Sequence, residues 1–197
     1  MLPSIATFRI SLDRITSAIT RVVTVPMSIE LVRLHDVIQC VMGWQDSHLH
    51  EFAIQGKTYL DHSAFEDSDD EDELTMTLVD VNLTIGESIQ YTYDMGDNWK
   101  HTITILDTKP LSDDLHPYAL LSGSGDCPPE DVGGVSGFEK FCSALKKPNS
   151  QAYKEYKQWH PSNYDTMHFD RSKAQLRLDE LIKSGKGYPW EDESDDS

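Results

Sequence analysis

The chain has 197 residues, 38% of them hydrophobic, enough for one buried core without added staples. A formal charge of −17 and the lack of any Lys/Arg cluster argue against direct nucleic-acid binding, and no stretch approaches the ~20 apolar residues of a spanning helix. Three cysteines, Cys40, Cys127 and Cys142, lack C-x-x-C spacing, which argues against a disulfide framework and for a reducing, cytoplasmic setting.

Alternation opens the chain. Phe8, Ile10 and Leu12, then Ile19, Arg21, Val23 and Val25, follow a period of two and predict a hairpin. Pro26 ends it, and Ser28 is placed to cap a helix carrying Leu31, Leu34, Ile38, Val41 and Met42, with Gly43 as its stop. His48, His50, Phe52 and Ile54 then share one side of a strand, and Gly56-Lys57 turns toward Tyr59. Two strands, a helix and a strand suggest a β-grasp-like N-terminal half. Residues 61–73 hold eight acids and no Lys or Arg, and residues 188–197 hold five more, leaving 21 acids against 17 bases elsewhere. These tracts are expected to be a mobile loop and a disordered tail on a single domain spanning 1–187.

Residues 74–81 are expected to form a strand or short helix. A central β-hairpin follows, with Ile89, Tyr91 and Tyr93 facing the same way as Trp99, His101, Ile103 and Ile105 on the return strand. The spacing Ser136…Glu139 reads as a capping box for a helix bearing Phe138, Phe141, Cys142 and Leu145. Further helices are expected over about 151–159 and from Asp170 to Gly185. Strands followed by helices, with no internal repeat, favour an α+β fold with a mixed or antiparallel sheet and C-terminal helices packed on it.

Chemistry gathers in the turns. Asp94-Met95-Gly96-Asp97-Asn98 is a connection longer than two residues, with Gly96 available for positive φ and both aspartates able to hold backbone N–H groups or a shared cation near His101. His48 and His50 face the same way, so His48, His50, His101, Asp94 and Asp97 form a candidate set for a divalent metal, with Cys127 able to extend a zinc set. Histidines at such positions also serve as hydrogen-bonded core residues, and Trp99 also as core packing. Cys127-Pro128-Pro129-Glu130-Asp131 is a rigid lead-in to Gly133-Gly134. Glu130 and Asp131 either cap nearby N–H groups, pair with a base such as Arg21, or serve a site. Glu130 is the candidate general base, and Cys127 would need His101 to act as a nucleophile.

Taken together, Leu34-His35-Asp36-Val37-Ile38, Met42-Gly43-Trp44, His48-Leu49-His50-Glu51-Phe52, Tyr91 to His101 and Cys127 to Gly134 resemble the plasmid pRiA4b ORF-3 family, over roughly residues 6–182. The resemblance implies a cytoplasmic α+β protein carried by mobile elements, sometimes labelled a resolvase. A serine resolvase surrounds its nucleophile with arginines, whereas Arg9, Arg14, Arg21, Arg33, Arg171 and Arg177 are spread along this chain. Where the family commonly has cysteines, this chain has Val132 and the neighbourhood of Leu120; it has Thr20-Arg21-Val22 for Trp-Arg-Arg, and Leu106 for a glutamate. A histidine–carboxylate cluster remains, and Tyr164-Asp165 and Phe169-Asp170 resemble the family's Phe-Asp pairs. The expectation is a binding module with a pocket lined by Asp94, Asp97, Trp99, His101, Cys127, Glu130, Asp131, Gly133 and Gly134, for a small ligand or protein partner. The alternatives are a metal-dependent hydrolase of a phosphoester or amide, and a mobile-element regulator whose acidic tracts contact a protein partner.

Overall fold

The computed structural model describes residues 4–60, 71–72, 74–112, 116–160 and 164–185. Eight strands among them are β1 (Ser4–Leu12), β2 (Thr20–Pro26), β3 (His50–Ile54), β4 (Lys57–Leu60), β5 (Glu71–Asp72), β6 (Ser88–Tyr93), β7 (Trp99–Pro110) and β8 (Ala119–Ser124). The helices are α1 (Leu31–Met42), α2 (Gly134–Leu145), α3 (Gln151–Trp159) and α4 (Arg171–Ser184). One sheet runs in the order β5-β4-β3-β6-β7-β1-β2-β8, antiparallel except for the parallel pair β4–β5. The α+β class and the mixed sheet thus follow the expectation. Within the grasp-like half, β6–β7 lies between the two N-terminal hairpins, so residues far apart in sequence meet at one end of the sheet.

The period-two pattern sorts the sheet into two faces. Phe8, Ile10, Val23, Phe52, Ile89, Tyr91, Trp99 and Ile103 are fully buried, while Arg9, Ser88 and Gln90 on the other face are exposed. Helix α1 covers the inner face and is itself covered by α4, so ten of its twelve residues are buried. Each fully buried Leu or Ile there contributes roughly 1.5–3 kcal/mol. The last turn of α1 has no basic residue of its own. Its carbonyls are capped from elsewhere: Arg21 donates from Nε to Val41 O (2.7 Å) and from Nη2 to Met42 O (3.3 Å), and Arg177 Nε donates to Cys40 O (2.9 Å).

Several boundaries differ from the sequence reading. Helix α1 starts at Leu31 after Glu30, with no side-chain cap from Ser28, because Leu31 N donates to Met76 O instead. Residues 74–81 form turns with one bridge, Glu30↔Thr77, rather than a strand or helix. Helix α2 begins at Gly134, ahead of the Ser136–Glu139 spacing, because left-handed Gly133 leads the chain directly into the first turn. Strand β8, with no alternation to announce it, pairs with β2 and closes that edge. Asp170 does cap α4, accepting from Lys173 N at 2.9 Å, and Gly43 and Gly185 terminate α1 and α4 in left-handed conformations. Of the acidic tract only residues 71–72 are described, as β5, and the acidic tail lies outside the described residues.

Candidate functional site

Three segments converge at one end of the sheet: the loop from α1 to β3, the β6–β7 turn, and the Pro-Pro-Glu-Asp loop before α2. The turn Asp94–Asn98 is organised by its first residue. Asp94 Oδ1 accepts from Gly96 N (2.8 Å) and Asp97 N (3.1 Å), and Asn98 N donates to Asp94 O. Positive φ falls on Asp94 (59°) and Asn98 (56°), not on Gly96. Asparagine and aspartate tolerate that region, so the turn closes without its glycine.

The turn is fastened to the glycine-rich loop. Asp97 Oδ2 accepts from Gly133 N at 3.0 Å, and a Cβ on Gly134 would lie 2.6 Å from Asp97 O. Only glycine fits there, since Gly134 also has φ +65°. This docking brings Asp131, itself left-handed at φ 55°, to His48: Asp131 Oδ1 is 3.0 Å from His48 Nε2, and Asp94 Oδ2 is 3.7 Å from the same nitrogen. The His48 nitrogen and one oxygen from each of Asp94 and Asp131 all lie within 4.8 Å of one another. Beside them, Glu130 Oε1 accepts from Gln45 N (2.7 Å) and Tyr93 OH (3.0 Å). Glu130 Oε2 is buried and has no hydrogen-bond partner among the described residues. Burial pushes the Glu130 carboxyl pKa up, against the lowering effect of those two donors.

Other expected site residues lie elsewhere. Trp99 and His101 are fully buried in the core. Trp44 Nε1 donates to His101 Nε2 at 3.2 Å, so the imidazole is an acceptor there and carries its proton on Nδ1, which is buried with no hydrogen-bond partner among the described residues. Burial pushes the His101 pKa down to about 4. With its acceptor nitrogen held by Trp44, His101 is not positioned as a base for Cys127, whose buried thiol is pushed well up by desolvation. His50 joins a second group. Its ring stacks on His35 at 3.5 Å between centroids, and His35 bonds Asp46 Oδ1 through Nε2 (2.8 Å) and Tyr91 OH through Nδ1 (2.8 Å). Gln39 Nε2 donates to the same hydroxyl at 2.9 Å, so one assignment satisfies the chain: Gln39 to Tyr91, Tyr91 to His35, His35 to Asp46. Both His35 nitrogens are thereby used. Desolvation lowers the His35 pKa despite its bond to Asp46.

Of the five residues read from the sequence as a metal set, the structure groups His48 and Asp94, with Asp131 as third member, while His50 groups with His35 and Asp46, whose ligand atoms also lie within 4.8 Å of one another. His50 and His101 point into separate hydrogen-bonded clusters, and Asp97 holds the loop. Tyr93, Asp46 and Gln45 were missed because their roles depend on the return of the α1–β3 loop; left-handed Asp46, at φ 52°, carries no sequence signature. Glu130 and Asp131 also line a cavity of about 540 Å³ that extends toward Cys127, Tyr164 and the first turns of α4.

The sequence matches the plasmid pRiA4b ORF-3-like protein family over residues 4–173. It is 36% identical over 183 residues to the uncharacterized protein y4hQ of Sinorhizobium fredii (strain NBRC 101917 / NGR234), covering 92% of this chain and 94% of that one. Among solved structures it is similar to the crystal structure of MM3350, a protein of unknown function from Methanosarcina mazei Go1, with a TM-score of 0.77 and 27% identity over 87% of this chain and 98% of that one. The chain therefore belongs to the plasmid pRiA4b ORF-3-like protein family.

Proposed function

We propose that this protein is a binding module built around a divalent cation, held by His48, Asp94 and Asp131, whose open coordination positions receive a small ligand or a partner's side chain. One observation carries the reading: three ligand atoms from three separate segments converge within 4.8 Å of one another, and in the other such group, His35, Asp46 and His50, both His35 nitrogens are already hydrogen-bonded. One imidazole and two carboxylates suit zinc, manganese or ferrous iron, and three protein ligands leave positions open. Titration of chelator-stripped protein with Mn²⁺ or Zn²⁺ tests it. One ion per chain is expected, with affinity falling about tenfold or more in His48→Ala and Asp131→Asn. Equal affinity in the wild type and both variants would overturn the reading.

A second reading, hydrolysis of a phosphoester or amide, is favoured by the unpartnered Glu130 oxygen and the raised pKa of its carboxyl. A bound divalent ion would make water acidic, and Glu130 would take the proton as that water attacks. Turnover of a phosphoester panel should vanish with chelator and in Glu130→Gln. Turnover that survives either treatment would refute this mechanism.

A further inference from the structure

The cavity beyond the Pro-Pro-Glu-Asp loop has charged walls whose two signs are used differently. Three of its four acids each have an oxygen engaged, although Glu130 Oε2 has no partner among the described residues. Asp131 turns to His48, Glu130 Oε1 accepts from Gln45 and Tyr93, and Asp170 caps its own helix. Asp126 remains on the wall, within electrostatic reach of Arg21, and burial raises its pKa. The cations are not matched in this way. Among the described residues Arg21, Arg177 and Lys173 make no ion pair with a carboxylate.

Arg21 is only 1% exposed, spends its N–H groups on main-chain carbonyls of residues 20, 41, 42, 124 and 125 and stacks on the Phe169 ring at 3.8 Å, so its charge is buried without a contacting carboxylate. Desolvation lowers its pKa to about 10, which leaves it charged at neutral pH. Arg177 uses Nε on Cys40 O, and its two terminal nitrogens have no acceptor among the described residues. Those nitrogens lie beside Gly43, where a Cβ would come 3.4 Å from Nη2. Lys173 stands four residues before Arg177 on α4. Like charges at that spacing repel, and a cation in a helix's first turn opposes the helix dipole. Helix α4 nevertheless begins Arg171-Ser172-Lys173, with the N-cap Asp170 as the one acid at its start and none in its first turn.

Buried, repelling and dipole-opposed cations around one cavity become favourable when an anion neutralises them. We infer that this cavity binds the phosphoryl group of a small phosphomonoester, with Arg177 offering a two-pronged donor, Lys173 a point charge and Arg21 a fixed positive background. A dianion fits three cations better than a single carboxylate does, and the planar guanidinium matches two phosphoryl oxygens. The cavity's volume of about 540 Å³ leaves room for an organic portion against Trp159 and Tyr164. The inference stands apart from the metal reading, because none of these cations belongs to the His48 cluster.

The test is calorimetric titration of the full chain with inorganic phosphate in the presence of chelator, against chloride at equal ionic strength and against succinate. Saturable phosphate binding is expected in the wild type and in His48→Ala, at least about tenfold weaker in Lys173→Glu and Arg177→Lys, with succinate weaker than phosphate. Lys173 is exposed, so its variant keeps the fold and provides the clean comparison. Absence of saturable binding, undiminished affinity in Lys173→Glu, or succinate binding as tightly as phosphate would overturn the inference. Loss of phosphate binding in His48→Ala with Lys173→Glu unaffected would move the anion to the metal cluster and also overturn it.

Discussion

Substituting Gly134 by alanine tests whether the hairpin and the glycine-rich loop form one unit. The new Cβ would lie 2.6 Å from Asp97 O, whereas ordinary contact begins near 3.4 Å, so two backbones must separate by ~0.8 Å. The left-handed conformation at φ +65° adds about 1–2 kcal/mol for any residue with a Cβ. With the overlap, the total loss is about 2–4 kcal/mol. Gly56→Ala is the control, since Gly56 has φ +82° but nothing within 4 Å of the added carbon. It should lose only about 1–2 kcal/mol. Equilibrium urea denaturation of both variants resolves the difference as a lower midpoint for Gly134→Ala at unchanged slope. Separation of the loops also moves Asp131 away from Asp94, so metal affinity should fall in Gly134→Ala and hold in Gly56→Ala. Equal stability losses in the two variants would refute the close docking.

His101→Ala should cost about 3 kcal/mol, through a core cavity and an orphaned Trp44 N–H, while leaving metal affinity unchanged; denaturation and titration check the two parts. His101 also makes stability depend on pH. Its folded pKa of about 4 lies below the unbound value of 6.5, so the unfolded chain takes up the proton first and stability falls as pH drops from 6.5 toward 4. The loss approaches about 3 kcal/mol, His35 adds to it in the same direction, and His101→Gln should flatten this limb of the profile. Glu130 has the opposite sign, because a raised carboxyl pKa disfavours the folded state once the unfolded chain ionises. Glu130→Gln should therefore lose less stability than other site substitutions at neutral pH, or gain some, as thermal melts across pH would show. Arg21→Met should destabilise by more than about 3 kcal/mol, since five main-chain carbonyl contacts lose their donor together; urea midpoints would show it.

The period-two stripes were legible because each strand exposes one face and buries the other. Phe8, Ile10, Tyr91, Tyr93 and His101 lie on the buried side the alternation assigned them. Helix ends were legible where a single residue controls them, as at Gly43 and Asp170. They were misread where the partner is distant: Leu31 N is held by Met76 O, and α2 starts through Gly133, which is tied to Asp97. The same distinction governs the candidate site. Glu130, Asp131, Asp94 and Asp97 were visible as polar residues in turns, and the structure brings their two loops together. Parity did not divide the histidines, because β3 begins only at His50: His48, read as a strand residue on the same face, lies in the preceding loop and joins a different cluster. That division depends on His35, whose stacking partner is fixed by α1 lying across the sheet. Likewise, Trp44 claims His101 only because Gly43 ends α1 beside β7.

The most direct measurement is anomalous diffraction from a crystal grown with Mn²⁺, recorded so that the ion itself is located. The account predicts one strong peak about 2.0–2.3 Å from His48 Nε2 and from one oxygen each of Asp94 and Asp131, with Glu130 beside it. A peak at His35, Asp46 and His50 instead, or no peak at saturating Mn²⁺, would contradict it.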